Sequence, residues 1–259
     1  MIKNILPLVA VLLFGCNHQP ATPPAANLHF TTKTIIKSTG PCKDSVSVCA
    51  KVTFEFPVFE GEDADSLNAL VALKMGAGYL DTLHHSNYKE VAEQFLSSYD
   101  TILKQMTDYT LPWEWTKKVE VFSQSNGLIT LHVYNYDFAG GNHGNEYNEY
   151  LHYDLLQHRS LHYTDVIETG KSTAFTAIAE NIFRENFHLK KDEPLDSVGF
   201  FFDEGKFTLP ENYWFTDTGI VFHYNDYELR SHAEGPYDLM IPYDAFDSLR
   251  KKAAPEKNS

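Results

Sequence analysis

The sequence predicts an α+β fold: an antiparallel β-sheet packed with a few α-helices, in two closely joined subdomains. Three observations carry this. Stretches of alternating polarity are interleaved with stretches of helical periodicity, and the two kinds stay separate along the chain. Hydrophobic residues make up 43% and aromatic residues 14%, which supports a buried core and argues against disorder. Clusters of Gly and Asn break the strand-like stretches where hairpins would turn.

Taken in order, the chain begins with a leader. Met1-Ile2-Lys3-Asn4 supplies one positive charge, and Ile5 to Phe14 is an apolar run too short to span a bilayer comfortably. The run ends in Leu13-Phe14-Gly15-Cys16, which resembles the lipobox of bacterial lipoprotein signal peptides. That resemblance implies cleavage of residues 1–15 and diacylglycerol and fatty acyl (palmitate-type) chains on Cys16, a firmer anchor than one chain provides. Asn17 after the Cys, with no acidic run behind it, points to an outer-membrane anchor facing the periplasm. Residues 16–27 are rich in Pro and Ala and form a flexible tether.

About 230 residues then remain to fold, enough for one large domain or two small ones. The full chain carries a formal charge of −14, and loss of Lys3 with the leader leaves −15. Such a surface suits a basic partner and disfavours nucleic acid. Cys42 and Cys49, separated by six residues, are expected to pair as a disulfide in an oxidising periplasm, because no second Cys pair exists to complete a metal site.

Leu28–Ile36 and Val46–Phe56 read as the first two strands, with Pro57 ending the second. A helix follows from a cap at Asp65 to Gly76. A second, from Asn87 to Met106, places Val91, Phe95, Tyr99, Ile102 and Met106 on one stripe. Trp115–Ser123, Leu128–Asp137 and Tyr147–Leu155 form a meander, its first pair turned by Ser125-Asn126-Gly127. Thr173–Phe187 is an amphipathic helix. Short strands are expected at Lys206–Leu209, Tyr213–Phe215, Gly219–Tyr224 and Asp238–Pro242, and a closing helix at Ala245–Lys252.

Two stretches carry a resemblance. "YNYDFAGGNHGNEYNEYLHYDLLQHRSLHYTDVI" is similar to the Gly-Gly-x-His-Gly segment of the domain found N-terminal in the peptidoglycan deacetylase PdaC. "FTLPENYWFTDTGIVFHYNDYELRSHAEGPYDLMIPYDAF" resembles the domain that ends the lysozyme-sensing anti-sigma factor RsiV. There Tyr227-Glu228-Leu229, Ala233-x-Gly235 and Ile241-Pro242-Tyr243 match. Asn142 stands where Ala is usual, and "LLQHRS" lacks a usual Gly. The resemblance implies a PdaC N-terminal-like domain at 28–168, an RsiV C-terminal-like domain at 169–252 and a tail at 253–259. It fixes fold better than activity. PdaC carries its chemistry in a separate catalytic domain that nothing in this sequence resembles, and RsiV-like members bind lysozyme.

The chemistry-bearing residues are few. His143 sits in a glycine-rich loop, where it reads as a hairpin residue that bonds the turn backbone, as part of a binding surface, or as a metal or catalytic group. No H-E-x-x-H motif or G-x-S-x-G motif accompanies it. Neither a catalytic residue nor a metal or other cofactor is therefore expected. "TGKS" at 169–172 imitates a phosphate loop, but Asp165 stands where its first Gly should be. In "HYNDYELRSHAEG", Tyr224, Tyr227, Glu228, Arg230 and His232 crowd one segment. Glu228 there pairs with Arg230, caps backbone amides, or joins a polar-aromatic patch. The expected ligand-binding residues are Asn142, His143, Tyr227, Glu228 and His232. The expected function is a non-enzymatic envelope lipoprotein that binds a basic protein such as a lysozyme, or peptidoglycan. The alternative is a cell-wall hydrolase or deacetylase using His143 and nearby carboxylates.

Overall fold

Alternation on the second strand sets the first core. In the computed structural model, which describes residues 28–42, 48–77, 87–125 and 127–251, β2 (Ala50–Glu60) buries Ala50, Val52, Phe54 and Phe56 on one face. β1 (His29–Ser38) pairs with it as an exposed antiparallel edge. The chain then crosses over through α1 (Ala64–Gly76) and α2 (Tyr88–Gln105) to β3 (Trp113–Ser125). β4 (Leu128–Phe138), β5 (Asn145–Asp154) and the two-residue β6 (Arg159–Ser160) complete a six-stranded sheet in sequence order. Phe54 meets Trp115 edge-on at 4.9 Å, and Phe95 of α2 packs on Trp113 and Trp115, joining the helices to the sheet.

Several expectations change. The sheet is mixed, because β2 runs parallel to β3. A two-helix crossover returns the chain to the same end of the sheet, and only a parallel partner fits that return. Pro57 lies inside β2, opposite Thr32. Its missing N–H costs no ladder bond, since pairing with β3 ends at Glu55. Two residues on, with the same parity, the Phe59 N–H and C=O are taken by the Asn68 side chain of α1 at 2.8 and 3.0 Å. β2 begins at Ala50, so Val48 is outside it and exposed; Val46 lies outside the described residues. Asp65 is in the first turn of α1 and is not its cap; Asn87 does cap α2, accepting from the Lys89 and Glu90 amides. Asn126 of the expected turn is outside the described residues. Cys42 and Cys49 form a disulfide, with Cα atoms 5.7 Å apart.

The second unit packs α3 (Ser172–Asn186) on a three-stranded antiparallel sheet of β7 (Tyr213–Phe215), β8 (Gly219–Tyr224) and β9 (Tyr237–Pro242). Phe175, Ala179 and Phe183 of the helix are fully buried against Ile220, Phe222, Leu239 and Ile241. No strand forms over Lys206–Leu209, and the closing segment is a 3-10 turn at Tyr243–Leu249, shorter than the helix expected.

The two units join along β5. β6 covers only the Tyr153–Asp154 end of that strand, leaving the backbone at Asn148 and Tyr150 without a strand neighbour on the edge away from β4. Two buried asparagines of the second unit take its place. Asn225 accepts from the Asn148 N–H at 2.7 Å and donates to its carbonyl at 3.0 Å. Asn212 donates to the same carbonyl at 2.6 Å and accepts from the Tyr150 N–H at 3.0 Å. Beside them His152 is held between the Thr130 hydroxyl (3.0 Å) and the Tyr213 carbonyl (2.7 Å). The carbonyl requires Nε2–H, so Nδ1 accepts from Thr130 and the neutral ring is fully bonded. Burial accordingly depresses its pKa to about 4.

Asn225→Leu leaves a buried N–H without an acceptor and should cost about 1–3 kcal/mol in denaturant unfolding, whereas an unchanged midpoint would contradict the role of this side chain. His152 makes a second prediction. Its folded pKa lies below the ordinary 6.5, so its neutral form stabilises the fold above that value, and the contribution is lost as pH falls through 6.5 towards 4. The wild-type protein should lose about 3 kcal/mol over this window that a His152→Gln variant does not lose, measured by unfolding at stepwise pH; parallel pH profiles would refute it.

Candidate functional site

The expected ligand-binding residues lie on two loops, one from each unit. The β4–β5 loop, residues 139–144, carries Asn142 and His143. Gly140 and Gly141 there adopt φ of 90° and 102°, which only glycine takes without strain. A side chain at Gly144 would meet the Tyr136 ring at 2.5 Å, so any larger residue there would displace that ring. The His143 Nδ1 lies 2.9 Å from the Gly144 carbonyl, as expected of a hairpin residue, and must carry the proton.

The second loop, 225–236, joins β8 to β9. Leu229 is buried beneath it, and the Arg230 guanidinium lies 3.9 Å over the Phe200 ring and bonds Glu234 at 2.8 Å. These anchors leave Tyr227 at a left-handed φ of 65° and 53% exposed. Its hydroxyl donates to the His143 Nε2 at 3.2 Å. His232 stacks on His143 with ring centroids 4.3 Å apart and planes 11° apart, and Tyr227 stacks on His232 at 5.6 Å. Asp226 fixes the His232 ring through a 2.6 Å bond to Nδ1.

Three of the expected residues therefore converge, His143, Tyr227 and His232, across the boundary between the units. Glu228 does not join them. It accepts from the Asn225 N–H at 2.7 Å, the backbone-capping alternative, while Arg230 pairs with Glu234. Asn142 is exposed beside His143 and makes no hydrogen bond among the described residues. Sequence reasoning missed Asp226, whose carboxylate orients His232; its position directly before Tyr227 was the available signal. It also missed a pocket of about 580 Å³ next to the platform, lined by Trp113, Glu114, Tyr136, His143 and the Cys42–Cys49 disulfide. That pocket combines aromatic walls with one carboxylate and the Lys51 ammonium. No cluster of His, Cys, Asp and Glu suited to a metal ion occurs among the described residues.

Comparison with known proteins agrees with this two-part organisation. Residues 44–146 match the family model described as deacetylase PdaC, and residues 164–244 match the protein family of unknown function DUF3298. The chain thus carries a PdaC-like N-terminal domain followed by a DUF3298 domain, the order expected from the two motifs. A crystal structure of a DUF3298 family member from Bacteroides fragilis superposes with a TM-score of 0.69 at 20% identity, covering 88% of this chain and 95% of its own. A DUF3298 family protein from Pseudomonas aeruginosa gives 0.63 at 20% identity, over 86% and 95%. These two share the α+β fold. No curated protein matches the chain.

Proposed function

We propose that this chain is a non-enzymatic, lipid-anchored binding protein of the bacterial envelope, whose ligand seats on the His143–His232–Tyr227 ring platform and the pocket beside it. The observation that carries the reading is the platform. Three exposed, nearly parallel rings from two domains are held in place by backbone, carboxylate and hydroxyl bonds. Rigid aromatic faces offer large contact area at small entropic cost, and suit both sugar rings and the anchor side chains of a protein. The ligand class is a basic protein such as a lysozyme, or peptidoglycan. A net charge of −14 favours encounter with the former. The anchor is Cys16, which lies outside the described residues, and the location is the outer membrane facing the periplasm.

A hydrolase or deacetylase is the second reading, favoured by the Asp226–His232 pair and by the deacetylase name of the family model. Against it, the Nε2 of His143, the atom a general base would use, already accepts the Tyr227 hydroxyl.

Calorimetry of the soluble domain with hen lysozyme and with soluble peptidoglycan fragments tests the proposal. Tyr227→Ala and His232→Ala should each weaken binding about tenfold or more, as hot-spot truncations do, while a surface-charge variant remote from the platform changes it little. Binding should persist at moderate salt, where screening removes purely long-range attraction. Binding that follows net charge alone, or none to either ligand, would overturn the reading. Activity on purified peptidoglycan lost in His143→Ala without loss of binding would favour the enzyme. For the anchor, Cys16→Ala should abolish acyl labelling, and unchanged labelling would refute lipidation there.

A further inference from the structure

A second concavity lies where the two domains face each other, and His143, Tyr227 and His232 do not line it. It encloses about 600 Å³ between α1, β5 and the 201–213 segment of the DUF3298 domain. Three large apolar side chains on its lining are exposed: Leu73 (67%), Phe201 (54%) and Tyr147 (43%). They come from different elements of both domains yet converge on one cleft, which sets them apart from apolar residues scattered singly over a surface.

The charged lining is mainly acidic, and it includes the histidines His152 and His162. Glu149, Asp203, Glu211 and Glu228 face a single ammonium, that of Lys74. Lys74 is already paired with Glu149, and Glu228 caps the Asn225 amide. His152 adds no charge near neutral pH, because burial holds it at about 4. Asp203 and Glu211 keep carboxylates with no side-chain hydrogen bond or ion pair among the described residues.

From this we infer that the interdomain cleft docks an extended, cationic segment of a partner protein, with Lys or Arg reaching Asp203 and Glu211 and flanking apolar side chains packing on Leu73 and Phe201. Charge complementarity selects the cation, and Leu73 and Phe201 offer an apolar lip for the side chains that flank it. The segment binds through its side chains. Strand addition is closed to it, because Asn212 and Asn225 already occupy the β5 edge at Asn148 and Tyr150. The inference goes beyond the platform reading and can fail independently of it.

Fluorescence anisotropy of the soluble two-domain protein with a labelled decapeptide of alternating Lys and Leu tests it. Two control peptides replace Lys by Glu, or Leu by Ser. Leu73→Ala with Phe201→Ala should weaken binding of the Lys–Leu peptide about tenfold, and Asp203→Asn with Glu211→Gln about fivefold. Asp217→Asn, which removes a carboxylate from the β7–β8 turn, should change it less than about twofold. Both controls should bind more weakly than the test peptide. All substituted side chains are exposed or at the cleft, and circular dichroism checks that the variants fold. Equal affinity across the variants, a loss in Asp217→Asn matching that in the cleft carboxylate pair, or no binding of the Lys–Leu peptide would overturn the inference.

Discussion

The architecture depends on how one strand edge is completed. β5 ends the long paired part of the first sheet, and a second domain is pressed against it, removing water from the backbone groups of Asn148 and Tyr150. Each such group, buried and unpaired, would cost about 1–3 kcal/mol. Asn212 and Asn225 remove that cost by presenting amides that copy the donor and acceptor of a neighbouring strand. A side-chain amide carries the same pair of groups as a peptide bond, so two residues substitute for a strand. Both asparagines are buried, and the Asn212 carbonyl accepts the His223 N–H of β8, which ties the clamp into the second sheet.

Other features follow from that placement. Asn225 is followed directly by Asp226 and Tyr227, so fixing Asn225 on β5 brings the loop that begins there towards the β4–β5 loop carrying His143. The ring stack is thus a property of the two-domain unit. The interdomain cleft has the same origin: Asn212 and Tyr150 form part of its lining, and its rim combines Leu73 and Tyr147 of the first domain with Phe201 of the second. Burial at this junction also explains His152, whose neutral ring bonds one residue of each domain.

Much of the fold was legible because periodicity reports directly on burial. Val91, Phe95 and Tyr99 of the expected stripe and the alternation of Val52, Phe54 and Phe56 are core in the structure, whereas Ile102 is half-buried and Met106, at the helix C-cap, is exposed. Strand direction was not legible, since a period of two is the same for parallel and antiparallel neighbours, and the β2–β3 pairing therefore differed. Pro57 misled because the rule against proline assumes a neighbour on both sides. Lys117 shows a different limit. It occupies a core position of β3 yet is satisfied there, donating to the Lys74 and Ala77 carbonyls at the end of α1, and burial lowers its pKa to about 8. At the site, the glycine-rich loop singled out His143, and the crowding of aromatic and polar residues singled out Tyr227 and His232. Nothing local distinguishes Asn212 and Asn225 from ordinary loop asparagines, because their partners lie 62 to 77 positions away in the chain.

Native-state hydrogen exchange at individual amides tests the strand-edge account most directly. By the alternation of a strand, Glu149 and Leu151 direct their N–H groups to β4, whereas Asn148 and Tyr150 direct theirs to the second domain. If the asparagine amides complete the sheet, the Asn148 and Tyr150 protons should be protected to a level comparable with those of Glu149 and Leu151. Exchange of Asn148 and Tyr150 at the rate of an unprotected amide, with Glu149 and Leu151 still protected, would contradict it.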